Sequence, residues 1–109
     1  MREDEEFRRH TDESLTSLYR ALVSASEDYE FKADYKAGSI TLELGRGRVK
    51  IVVSPHATAG QVWVSAHPKS YKLEWDVVQN TFVLGATGQT LKELIEEAIS
   101  RQVGEDVTL

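Results

Sequence analysis

The chain has 109 residues, enough for one domain around one hydrophobic core and too few for two. Its 40% apolar content, two Trp, four Tyr and three Phe belong to the soluble globular class, and no apolar run approaches the ~20 residues a membrane helix needs. The lack of Cys rules out disulfides, thiol nucleophiles and thiolate metal sites. The opening Met-Arg-Glu-Asp-Glu-Glu-Phe is charged where a secretory segment would be apolar, so a cytoplasmic location is expected. The net charge of −5 is unevenly placed. Residues 1–34 carry ten Asp/Glu against five Lys/Arg, whereas residues 36–75 carry six Lys/Arg against Glu43 and Glu74. No Lys/Arg cluster offers the electrostatic footprint of a nucleic-acid binder.

Glu3 to about Ala25 reads as a helix. Acids crowd its first turn, which suits the helix dipole. Leu15, Leu18, Leu22 and Ala25 repeat at helical spacing, and Phe7 extends the stripe. Thr11 and Ser14 interrupt it, which leaves open a later start with Thr11 or Asp12 as N-cap. From Tyr29 the period changes to two. Phe31, Ala33 and Tyr35 alternate with Lys32, Asp34 and Lys36. Ile40, Leu42 and Leu44 alternate with Thr41 and Glu43. After a Gly45-Arg46-Gly47 turn, Val49, Ile51 and Val53 follow with Arg48 and Lys50 facing out. Ser54 to Gly60 reads as a loop, because Pro55 cannot donate into a central ladder.

The next strand, Gln61-Val62-Trp63-Val64-Ser65, sets its largest side chain in phase with Gln61 and Ser65. A Trp on the polar face of a strand is a candidate recognition anchor, unless a loop or a neighbouring strand covers it. Tyr71, Leu73 and Trp75 follow in alternation after His67-Pro68, and Phe82 and Leu84 form a last short strand beyond Asn80. Gly85 and Gly88 mark the return to helix. Thr90 and Glu93 fit a capping box ahead of the stripe Leu91, Leu94, Ile95, Ala98 and Ile99. Gly104 is placed to stop that helix, and the tail ends in Val107 and Leu109, apolar residues that can fold back onto the core.

Helix, about six strands and helix predict an α+β fold over residues 1–109: a two-layer αβ sandwich with both terminal helices on one face of an antiparallel sheet. The other face is then open to solvent or a partner, with Trp63, Gln61, Lys72, Arg48 and Lys50 on it. His10, His56 and His67 fall on separate elements without metal-ligand spacing. No Ser lies in a Gly-x-Ser-x-Gly turn, and no helix follows Gly45-Arg46-Gly47 to bind an anion. Asp12, Glu13, Glu27, Asp28, Glu30 and Asp34 can offer oxygen ligands to hard cations, or can simply form a solvated acidic face.

The element order, Gln61-Val62-Trp63-Val64-Ser65, Tyr71-Lys72-Leu73-Glu74-Trp75 and Gly88-Gln89-Thr90-Leu91-Lys92-Glu93-Leu94 resemble the frataxin family over nearly the whole chain, as does Gly104-Glu105-Asp106-Val107. The resemblance implies a non-enzymatic role in iron–sulfur cluster assembly. It implies weak, carboxylate-bound iron on the first helix and first strand, and a monomer when iron is absent. It also implies docking on a cysteine desulfurase and scaffold complex, with Gln61, Trp63 and Lys72 at the contact positions. One departure stands out. Frataxins concentrate acids on the second half of the first helix, where this chain has Tyr19, Arg20, Val23 and Ser24. Arg20 repels cations there, so iron binding is expected to be weaker or shifted toward residues 27–34. The rival expectation is a protein-binding module of the same fold that has lost the iron role.

Overall fold

The computed structural model describes residues 2–29, 31–44, 49–56, 58–66, 69–104 and 106–109, with side chains from Glu5 onward. Its elements are α1 (Arg2–Ser26), β1 (Phe31–Lys36), β2 (Ser39–Leu44), β3 (Val49–His56), β4 (Gln61–Ala66), β5 (Lys69–Asp76), β6 (Thr81–Leu84) and α2 (Leu91–Val103). The six strands form one sheet in chain order, every neighbouring pair antiparallel. The expected Gly45-Arg46-Gly47 turn, Arg48, His67-Pro68 and Glu30 lie outside the described residues.

The period-2 alternation decides which strand side chains are buried. Ile40, Leu42 and Leu44 of β2, Ile51 and Val53 of β3, Val62 and Val64 of β4, Leu73 of β5 and Phe82 of β6 all point to one face. Leu15, Leu18 and Leu22 of α1 and Leu94, Ile95 and Ile99 of α2 close over that face as the second layer. Burying each such side chain is worth about 1.5–3 kcal/mol, so the two stripes account for the helices' placement.

Aromatic contacts fix where α1 crosses the sheet. Near its start, Phe7 meets Phe82 edge-on at 6.0 Å and His10 stacks on Trp75, which in turn meets Phe82 edge-on at 5.1 Å. Near its end, Tyr19 packs on Tyr35 of β1 at 5.5 Å. The helix thus runs from β5 and β6 across to the opposite edge. It does not start late: Thr11 is buried inside it, its hydroxyl donating to the Arg8 carbonyl at 2.9 Å.

α2 begins and ends as its sequence dictates. The Thr90 hydroxyl accepts the Glu93 N–H at 3.2 Å, and the Glu93 carboxylate accepts the Thr90 N–H at 3.0 Å. Gly104 takes φ 75°, a left-handed value that glycine adopts without strain, and its N–H closes on the Ser100 carbonyl. The tail does return to the core. Val107 is buried, its N–H donates to the Ser100 hydroxyl at 2.9 Å, and Leu109 packs against the same cluster.

The expected loop from Ser54 to Gly60 is strand in its first part and turn at Thr58, Ala59 and Gly60. β3 continues through Ser54, Pro55 and His56, which pair with Trp63, Val62 and Gln61. The last β2 partner of β3 is Ile40, opposite Val53. Beyond Val53 the strand therefore has a neighbour on one side only, and a strand edge tolerates proline.

Candidate functional site

The side of the sheet away from the helices carries the alternate residues of each strand, and the register sorts them into rows. Ser54, Trp63 and Lys72 form one row across β3, β4 and β5. His56, Gln61, Glu74 and Val83 form the next. Lys32, Glu43 and Lys50 form another at the far end of the face.

Trp63 is the centre of the first row, and its surroundings are built from three strands. The His56 ring stacks on the indole with centroids 3.5 Å apart and planes 19° from parallel. Lys72, directly across on β5, holds its Nζ 4.9 Å from the indole centroid, a cation–π contact. The indole Nε1–H donates to the Gln61 side-chain oxygen at 3.0 Å, so its polar group is satisfied within the protein. The Ser54 hydroxyl lies 3.3 Å from His56 Nε2 and ties the imidazole to the row below. Trp63 is half-buried as a result. Residues of its own face flank it from both neighbouring strands.

Gln61, Trp63 and Lys72 thus share the open face that their phase predicts, and the register brings them together. His56 and Ser54 belong to the same cluster and were missed, because Pro55 suggested a loop. The available signal was the alternation Val49, Ile51, Val53, which continues in phase through Pro55 and leaves Ser54 and His56 on the open side. Lys50 is also on this face, its Nζ 3.8 Å from Glu43, and Arg48 lies outside the described residues.

The carboxylates behave differently. Asp12 and Glu13 are exposed on α1 and share a shallow groove with Arg20. Glu27 and Asp28 are exposed just after the end of α1. Asp34 projects from the edge strand β1, 3.7 Å from Lys36 Nζ, in a groove that also holds Lys32 and Glu43. Among the described residues, no group of three or more His, Asp or Glu is arranged to hold a metal ion. Glu30 is outside them. The donor type suits a hard cation, but the described donors are divided among three places, with Arg20 in the groove of Asp12 and Glu13 and with Lys32 and Lys36 near Asp34.

A two-layer sandwich with an aromatic centre on its uncovered sheet face is the class of molecule these features define. The family model named frataxin-like domain matches residues 1–105, and the chain belongs to that family. It is also similar to the solved frataxin of Psychromonas ingrahamii, with a TM-score of 0.77 at 20% identity. That match covers 96% of this chain and 95% of the other, and at this identity it is a likeness of fold. No described helix is long and apolar enough to cross a membrane.

Proposed function

We propose that this chain is a cytoplasmic, non-enzymatic factor of iron–sulfur cluster assembly that docks on the cysteine desulfurase and scaffold complex through its open sheet face. The observation that carries this reading is the Trp63 cluster. A large aromatic, its N–H held by Gln61 and its ring flanked by Lys72, stands on the sheet face that neither helix covers. Interface hot spots favour such anchors, because a rigid aromatic contributes much contact area at little entropy cost. Gln61, Trp63 and Lys72 are the contact residues in this reading.

Iron has a lesser part in the proposal. Asp12, Glu13, Glu27, Asp28, Glu30 and Asp34 are the candidate ligands, as exposed carboxylates that bind weakly and with variable geometry. A second reading, the same docking module without the iron role, is favoured by one observation: Arg20 beside Asp12 and Glu13.

Amide NMR titrations of the protein separate the two. Addition of the host's cysteine desulfurase is expected to shift Gln61–Ser65 and Lys72, and iron(II) to broaden resonances near Glu27–Asp34. Desulfurase shifts with no iron broadening would select the second reading. Silence of the open face toward the desulfurase would overturn both.

A further inference from the structure

The Trp63 cluster contains more than a docking residue needs. The indole is flanked from both neighbouring strands, by His56 of β3 and by Lys72 of β5, and its N–H is tied by Gln61 on its own strand. An exposed Trp without such neighbours samples several rotamers and must be ordered when a partner arrives. Here three side chains restrict it beforehand. Of these, His56 makes the closest ring contact, 3.5 Å between centroids, and its own position is fixed by the Ser54 hydroxyl.

We infer that His56 is a positioning residue: by stacking on Trp63 it holds the indole in the orientation that the partner meets. This rests on the docking function proposed above. A neutral imidazole stacks on indole by dispersion and quadrupole contact.

The test uses the full chain as wild type, His56→Ala, His56→Phe and Trp63→Ala. The first readout needs no partner: side-chain NMR of the Trp63 Nε1–H and ring, which reports how ordered the indole is. Order is expected to fall in His56→Ala and to return in His56→Phe. The second readout is the affinity for the cysteine desulfurase. His56→Ala is expected to weaken it about fivefold, what one newly immobilised side chain costs. His56→Phe is expected to restore it. An indole equally ordered in His56→Ala and wild type would overturn the inference. So would wild-type affinity in His56→Ala while Trp63→Ala abolishes docking. If Trp63→Ala itself left desulfurase binding intact, the docking function would fail, and the indole-order readout would still decide the role of His56.

Discussion

Lys72 stands directly opposite Trp63 in the β4–β5 register, with its ammonium 4.9 Å from the indole centroid. The pair contributes about 0.5–1 kcal/mol at an exposed site. In the docking proposed above, it bears on binding as well. Charges at an interface act mainly on association rate and salt dependence, whereas a central aromatic acts on dissociation. Lys72→Met, which keeps the stem and removes the charge, is expected to slow association with the desulfurase and to flatten its dependence on salt. Trp63→Ala is expected to raise the dissociation rate, with a loss of about 2 kcal/mol or more. Surface-plasmon kinetics at two ionic strengths distinguish them, and identical effects of the two variants would contradict this division.

On the other side of the sheet, His10 stacks on Trp75 with centroids 3.6 Å apart and planes 8° from parallel. The contact joins α1 to β5 and lies on the helix-covered layer, away from the open face. His10→Ala is expected to cost about 1 kcal/mol, the scale of an aromatic pair, and to lower the melting temperature by roughly 4–8 °C. His10→Phe should recover most of it. Desulfurase affinity should not change in either variant, and calorimetry with a binding assay checks both halves.

Two carboxylates tie the termini of local elements and lend the fold an acid-sensitive component. Asp76 accepts N–H groups from Gln79 and Val78 and the Gln79 side chain, and these bonds hold its pKa below the usual aspartate value. Glu93 is lowered likewise by the Thr90 N–H and hydroxyl of the capping box. A carboxylate with a folded pKa below its unfolded one stabilises the fold above the unfolded value, about pH 4. That stabilisation is lost as pH falls through the folded value. The double variant Asp76→Asn, Glu93→Gln should therefore be less stable than wild type at pH 7 and should lose less between about pH 4.5 and 2. Urea midpoints measured across that range test the sign.

Arg20 shares a groove with Asp12 and Glu13, and a cation there opposes a metal ion by simple repulsion. Arg20→Glu should raise iron(II) affinity, since it replaces a positive charge in that groove with a negative one. Replacing Glu27, Asp28, Glu30 and Asp34 by their amides should lower it more than replacing Asp12 and Glu13. Titration calorimetry under anaerobic conditions gives the ranking, and no response to Arg20→Glu would remove α1 from any iron role.

Much of this protein is legible without its tertiary structure, because local chemistry writes it directly. Alternation of apolar residues from Phe31 to Leu84 specifies six strands and their buried face, since the side-chain period of a strand is two. The stripes of α1 and α2, the Thr90–Glu93 box and the Gly104 stop follow from helical spacing and from backbone groups that need partners. That same phase put Trp63 on the open side. What needed the folded chain is everything set by register between strands. That Lys72 faces Trp63, that His56 reaches over from β3, and that Pro55 sits where β3 has lost its neighbour β2 depend on which residues stand opposite each other. The carboxylates make the same point: adjacent in composition, they are separated in space once α1 and β1 take their places. Phase belongs to a single strand and can be read along it; pairing belongs to two, and only packing against the common core selects it.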